Sequence, residues 1–299
     1  MEFRTFGATG MKVSALGFGG SEIGYGGSDL STVERLLGSA LDAGLNVIDT
    51  AACYMDSEEK IGQAVAHRRS EYLLFTKCGH ASGLPYPDWD PELIGASIDR
   101  SLKRLRTDHL DLIQLHSCSR ETLEQGDVIH ALQRARDAGK VRFIGYSGDR
   151  EAARYAVTCE AFDALQTSVN IADQEAIDLT IALAEQRQMG VIAKRPVANV
   201  AWLSEVEPSR EAYSHEYWKR LQELRYDFLS HSASESVGTA LRFTLTIPGV
   251  HTAIVGTQSP DRWQQNADLL APGALDAEGF NAIRTRFREV AKPDWTGQT

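Results

Sequence analysis

Eight times along the chain, a short run of Val, Ile, Leu and Phe is followed by a longer stretch whose apolar residues recur at helical spacing. The runs occupy residues 15–20, 46–51, 72–78, 110–116, 141–147, 164–170, 190–196 and 252–257. The helical stretches occupy residues 31–43, 57–68, 91–106, 122–138, 150–159, 175–188, 236–245 and 260–270. Alternation of this kind points to parallel strands, because each parallel strand needs a crossover to bring the chain back to the same end of the sheet. The third helical stretch is the clearest of them. Asp90 can cap it, Pro91 suits the first helical position, and Ile94, Ile98, Leu102 and Leu105 form one apolar face. The run Leu-Asp-Leu-Ile-Gln-Leu-His at 110–116 is too short for a helix and mostly apolar, as a strand covered on both faces is.

Eight consecutive β–α units predict an α/β fold of the (β/α)8 TIM-barrel type, a single domain over residues 1–299. The competing open, doubly wound sheet usually carries Gly-x-Gly-x-x-Gly after its first strand. Here Gly17-Phe18-Gly19-Gly20-Ser21-Glu22 lacks the last glycine, and Gly24-Tyr25-Gly26-Gly27-Ser28-Asp29 fails at the same place. Two additions to the bare barrel are expected. Residues 1–14, around Gly7-Ala8-Thr9-Gly10, read as an N-terminal β-hairpin plugging one end. Residues between Pro196 and Thr252 form an extra helical insertion before the last unit, with Tyr213, Tyr217, Trp218, Leu221 and Leu224 along its centre. That centre reads either as an outer helix packed by its aromatic face or as a loop over the barrel mouth.

Several function classes are set aside by composition. The chain carries 31 Lys and Arg against 41 Asp and Glu, a net charge of −10, so a nucleic-acid partner is not expected. No apolar stretch is long enough for a membrane span, and the first twenty residues lack a signal-peptide core. Four cysteines without a Cys-x-x-Cys pair suggest reduced thiols and a cytoplasmic protein. Cys53, Cys78, Cys118, His80 and His116 fall near one rim, but the first strand has no His-x-His, and no metal is expected. Gly145-Tyr146-Ser147-Gly148-Asp149 breaks the Gly-x-Ser-x-Gly pattern of a serine hydrolase.

Active sites of such barrels lie at the C-terminal ends of the strands. The polar residues there are Asp49 with Tyr54 just beyond, Lys77, His116, Ser147, Gln166 and Asn170, Lys194-Arg195, and Gly256-Thr257. A carboxylate and an ammonium inside apolar strands are costly unless paired, so Asp49 and Lys77 are expected to meet. Tyr54 would loop over them. An adjacent ammonium favours phenolate, so Tyr54 is expected to give up a proton near neutral pH. His116 can hydrogen-bond a carbonyl oxygen and fix its position.

In this order and spacing the chain resembles the aldo-keto reductase superfamily over nearly its whole length. The resemblance rests on the hairpin with Gly-Phe-Gly-Gly, the Asp-Thr-Ala-x-x-Tyr of residues 49–54, Thr76-Lys77, Leu115-His116, Gln166 with Asn170, and the terminal Ser-Pro-Asp-Arg…Asn. It implies hydride transfer between NAD(P)H and an aldehyde or ketone, or the reverse from an alcohol such as a sugar. Tyr54 would be the acid, Asp49 and Lys77 would tune it, and His116 would orient the carbonyl. It also implies a cofactor seat. Gly20 belongs to its glycine-rich start. Ser147 and Gln166 would hold the nicotinamide amide, with Gly148 where the family has Asn. Lys194 stands where the family stacks an aromatic ring, so the stack is absent or Lys194 or Arg195 reaches the pyrophosphate. Gly256 and Thr257 would meet phosphate, Arg262 the 2′-phosphate of NADP, and Gln265 and Asn266 the adenine. NADP is therefore favoured, with NAD possible. A cofactor-binding regulatory subunit and a Schiff-base lyase using Lys77 stay open as alternatives. The rim loops carry His80, Tyr86, Trp89, Arg120, Trp202 and Tyr213 as candidate pocket walls.

Overall fold

The structure, a computed structural model, describes residues 1–298. Strands β1 (Phe3–Thr5) and β2 (Lys12–Ser14) pair antiparallel as the N-terminal hairpin. Eight parallel strands then close a barrel: β3 (Leu16–Gly19), β4 (Val47–Asp49), β5 (Leu73–Cys78), β6 (Leu110–His116), β7 (Val141–Ser147), β8 (Ala164–Ser168), β9 (Gly190–Lys194) and β10 (Thr252–Val255). They follow one another around the ring, and β10 pairs with β3 to complete it.

Successive side chains of a strand face opposite sides, so every second residue enters the barrel. The lower interior is apolar: Val47, Phe75, Leu112, Ala164 and Ile192 form a cluster with Phe6, Met11 and Val13 from the hairpin. Phe6 stacks on Phe75 at 5.7 Å and plugs that end. The hairpin turn fits because Gly7 has φ 53°, and a Cβ there would lie 2.3 Å from the carbonyl of Gln188. Two residues further along the same strands stand Asp49, Lys77, Gln114, Gln166 and Lys194. One step of the pleat thus separates a dry plug from a polar rim.

Outside the barrel lie α1 (Ser21–Tyr25), α2 (Leu30–Asp42), α3 (Ser57–Val65), α4 (Pro91–Leu105), α5 (Arg120–Gln125), α6 (Asp127–Asp137), α7 (Arg150–Thr158), α8 (Ala182–Gln186), α9 (His215–Leu224), α10 (Ala233–Thr246), α11 (Arg262–Asp268) and α12 (Ala277–Val290). Helix α4 begins as its sequence predicts, with Asp90 accepting from the Glu92 amide at 2.8 Å. The stretch 122–138 is two helices, not one. Gly126 takes φ 83°, ends α5 in a left-handed turn and starts α6. The stretch 175–188 opens with a turn of π-helix, Ile177–Ile181, before α8. In the insertion, α9 buries Tyr217, Leu221 and Leu224, which bears out an outer packed helix. Tyr213, just before it, is 71% exposed and covers the Arg195 guanidinium at 4.9 Å. Among the described residues no helix is long and apolar enough to cross a membrane.

Candidate active site

Asp49 ends β4 and Lys77 lies next door on β5; each side chain is 1% exposed, and the two form an ion pair. Lys77 Nζ also donates to the Thr50 carbonyl at 2.8 Å. The second carboxylate oxygen of Asp49 accepts from Gln166 Nε2 at 3.0 Å and Gln114 Nε2 at 3.2 Å. Three donors from three other strands therefore compensate the burial of one carboxylate. Burial works against the Lys77 charge, yet Asp49 and Tyr54 hold its pKa above the ordinary value. Gln114 is a site residue that the strand-end reading missed. Its position two residues before His116, on the same face of β6, was the available signal.

Tyr54 sits in the turn after β4, with its amide bonded to the Ala51 carbonyl at 3.0 Å. The Lys77 ammonium lies 5.2 Å from its ring centre. Tyr54 is not made acidic by its neighbours, contrary to the expectation from charge proximity. Burial raises the Tyr54 pKa; Lys77 pulls it down, Asp49 pushes it up, and the balance stays above an ordinary phenol. Within these protein groups the desolvation of a phenolate outweighs its attraction to an ammonium already shared with Asp49. Tyr54 is thus a firmly protonated donor.

His116 closes β6. Its ring meets that of Tyr54 edge-on at 5.6 Å and that of His80 at 5.6 Å. Burial, then the charges of Lys77 and Lys194, push its pKa well below the usual histidine range, so the imidazole is neutral. Its Nδ1 lies 3.3 Å from Cys53 Sγ. A phenol and a neutral imidazole side by side make a pair of donors suited to an oxygen that gains negative charge. Around them stand His80, bonded to Asp88 at 2.8 Å and packed on Trp89 at 4.9 Å, and Tyr25, whose hydroxyl donates to the Cys53 carbonyl at 3.0 Å. Trp202 instead donates to Ser236 on α10, and Arg120 pairs with Glu124 on its own helix. Among the described residues, no three His, Cys, Asp or Glu side chains are grouped as metal ligands.

The residues expected at a nicotinamide adjoin this centre. Ser147 Oγ donates to Gln166 Oε1 at 3.0 Å, and Gln166 in turn donates to Asp49. A Cβ at Gly148 would lie 2.5 Å from the Tyr146 hydroxyl, which is fixed on the Cys118 carbonyl at 2.7 Å. No asparagine fits there unless Tyr146 moves. Lys194 is paired with Asp149 at 2.8 Å, and Asp149 is held further by Thr167 Oγ1 at 2.9 Å and the Ser168 amide at 2.7 Å. Arg195 bonds Ser168 Oγ at 3.2 Å and the Gln298 carbonyl. Both cations are therefore engaged on the β7–β8 side of the mouth. Asn170 donates to the Arg195 carbonyl at 3.0 Å and shapes that turn.

On the β3–β10 side the backbone comes close. The Gly20 amide bonds the Asp49 carbonyl at 2.7 Å, and a Cβ at Gly256 would lie 2.6 Å from Cγ of Glu22. Thr257 Oγ1 accepts from the Ser259 amide at 3.1 Å. Arg262 and Gln265 of α11 are exposed, whereas Asn266 is buried.

The C-terminal segment was not anticipated at the site. The Gln298 carbonyl accepts from Ser168 Oγ at 2.7 Å, and its amide donates to Asp173 at 3.2 Å. The Gly297 amide donates to Glu175 at 2.7 Å, Arg150 to the Gly297 carbonyl at 2.9 Å, and Arg220 to the Thr296 carbonyl at 2.9 Å. Burial raises the pKa of Asp173 to about 7, although Arg220 opposes it.

Comparison with known proteins fits this geometry. The family model described as "Aldo/keto reductase family" matches residues 15–286. The chain is 28% identical to L-galactose dehydrogenase of Arabidopsis thaliana, over 99% of this chain and 97% of that one. It is 29% identical to D-threo-aldose 1-dehydrogenase of a Pseudomonas species, over 91% and 94%. A holo-form aldo-keto reductase structure from Bacillus halodurans shares the fold, with a TM-score of 0.84, 24% identity and 99% of both chains covered. A closed barrel with its polar residues gathered on this rim, matched by that model over most of its length, belongs to an oxidoreductase of the aldo/keto reductase family.

Proposed function

We propose that the protein interconverts a carbonyl and an alcohol on a small polyhydroxylated substrate of the sugar class, using NADP(H) in preference to NAD(H). The observation that carries this reading is the buried Asp49–Lys77 pair beneath Tyr54, beside a neutral His116. The sugar class is suggested by relatives named as dehydrogenases of L-galactose and D-threo-aldoses. Polar-edged rings at the mouth, Trp89, His80 and Tyr25, suit a substrate rich in hydroxyl groups.

The residues fit a dinucleotide at three places. Gly20 and Gly256 put bare backbone at the rim, where a Cβ would run into Ser57 or Glu22. Ser147 and Gln166 offer a hydroxyl and an amide for a carboxamide. Arg262 presents an exposed guanidinium for a 2′-phosphate. With Lys194 and Arg195 engaged elsewhere, phosphate binding falls to Gly256, Thr257 and Arg262, with Gln265 and Asn266 toward the adenine. A bound nicotinamide supplies or accepts the hydride at the carbon of the substrate.

The chain's own residues handle the oxygen. In the reductive direction Tyr54 donates its hydroxyl proton to the carbonyl oxygen, and His116 holds that oxygen by a hydrogen bond. The Lys77 ammonium stabilises the phenolate that results, and Asp49 keeps the ammonium in place. In the oxidative direction the same proton returns to Tyr54. A Schiff-base lyase is disfavoured because Lys77 Nζ is charged and already bonded to Asp49 and to the Thr50 carbonyl. All four cysteines are free thiols, in keeping with a cytoplasmic setting.

Titration with NADPH and with NADH, followed by nicotinamide fluorescence, tests the cofactor seat and its preference together. Steady-state turnover of aldoses and simple aldehydes separates an enzyme from a cofactor-binding subunit. Tyr54→Phe is expected to keep NADPH affinity and to lose roughly 10²–10⁴-fold in kcat. Equal turnover in the two proteins rejects Tyr54 as the acid.

A further inference from the structure

The turn that carries Tyr54 also carries Cys53, and its sulfur meets the ring of His116 at Nδ1, 3.3 Å away. Among the described residues this is the one hydrogen-bonding partner of that imidazole; Tyr54 and His80 touch it through ring edges and faces. The turn itself is fixed. The Tyr54 amide closes on the Ala51 carbonyl, and the Cys53 carbonyl holds the Tyr25 hydroxyl. We propose that Cys53 is a positioning residue, whose S–H donates to Nδ1 of His116 and so keeps the imidazole in the tautomer that presents Nε2–H to the substrate oxygen.

The chemistry of the two groups supports this direction. Burial raises the thiol pKa, and burial together with Lys77 and Lys194 lowers that of the imidazole, so both are neutral at neutral pH. Between a neutral thiol and a neutral imidazole, the ring nitrogen is the better acceptor, because sulfur accepts weakly. Nδ1 then carries no proton and Nε2 must carry it. The opposite tautomer would turn an Nε2 lone pair toward an oxygen that is gaining negative charge. Cys53 thereby does from the side what carboxylates and carbonyls do for other functional histidines: it settles which nitrogen is the donor.

The inference rests on the carbonyl–alcohol reading for its consequence, but its physical content can be measured without turnover. Nitrogen NMR of the wild-type protein, labelled at histidine, is expected to show His116 protonated at Nε2 alone. A proton on Nδ1 overturns the proposal whatever the enzyme does. In Cys53→Ala the His116 signals are expected to report a mixture of tautomers, with kcat for carbonyl reduction down roughly tenfold and NADPH affinity unchanged. Cys53→Ser, which keeps a donor, is expected to restore the wild-type signature and most of the rate. Loss of rate in both variants with an unmoved NMR signature would assign Cys53 to packing and overturn the proposal. If no carbonyl turns over in the wild type, the function reading fails while the NMR result still decides this one.

Discussion

Two layers of one barrel interior differ by a single step of the strand. Val47, Phe75, Leu112, Ala164 and Ile192 face inward toward the hairpin plug, and Asp49, Lys77, Gln114, Gln166 and Lys194 face inward two residues later. The first layer is held by dispersion and dryness, and its members are interchangeable in kind as long as they fill the same volume. The second layer is held by specific partners. Lys77, Gln114 and Gln166 all converge on Asp49, so each member is part of the reason another can be buried. A deletion below leaves a cavity; a deletion above leaves a charge or a donor without its mate.

Substitution at neighbouring positions of β5 puts the largest expected effect on that contrast. Lys77→Met leaves Asp49 buried without its counter-charge. It is expected to cost about 3–5 kcal/mol of stability and to abolish turnover. Phe75→Ala, one layer down, is expected to cost a similar amount, about 3–5 kcal/mol, while turnover per folded molecule survives. Urea unfolding combined with rates normalised to folded protein checks both. The contrast breaks if Lys77→Met retains activity or if Phe75→Ala loses it at full folding. A smaller effect is expected at the edge of the polar rim. Arg262→Ala should weaken NADPH roughly tenfold, near 1.4 kcal/mol, and leave NADH unchanged in the same fluorescence titration. Equal weakening of both cofactors would place Arg262 on a contact they share.

A pH-dependent effect, read as a slope rather than a loss, concerns Asp173, beside the C-terminal segment. Its folded pKa is raised from 3.8 to about 7, so the folded protein holds a proton that the unfolded chain releases. Stability from this group is therefore present below pH 3.8 and is lost as pH rises toward 7. Asp173→Asn removes that dependence. The Tm difference between variant and wild type is expected to shift in favour of the variant across this window. A pH-independent difference would show that the carboxyl is not protonated there. The lowered pKa of His116 acts in the opposite sense, favouring the folded state as pH rises toward 6.5, and it cancels from this difference.

The barrel was legible because its signals are local. Runs such as 110–116 and a cap such as Asp90 announce themselves within a few residues. Asp49, Tyr54, Lys77 and His116 were legible for a related reason: strand ends converge by topology, so naming the ends names the neighbours. What escaped was set elsewhere. The break at Gly126 was visible as a residue type but lay under an otherwise continuous helical period. The docking of Thr296–Gln298 depends on Arg150, Glu175 and Arg220, and helix α12 bonds Gln174 and Asp178 through Arg284, all residues distant in the chain. The engagement of Lys194 by Asp149 likewise needs β7 and β9 brought together. The Tyr54 pKa was misjudged because charge proximity can be read from order along the chain, whereas desolvation cannot.

Ser147 is bonded to Gln166 and Gln166 to Asp49, so the groups proposed to grip a carboxamide and the group proposed to steady the proton donor lie on one continuous thread. On the proposed mechanism, editing Gln166 to retune the protein toward a different dinucleotide would also edit the strength of the Tyr54 acid. Separable traits at that spot would have to be engineered as a pair, with Gln114 as the natural place to compensate.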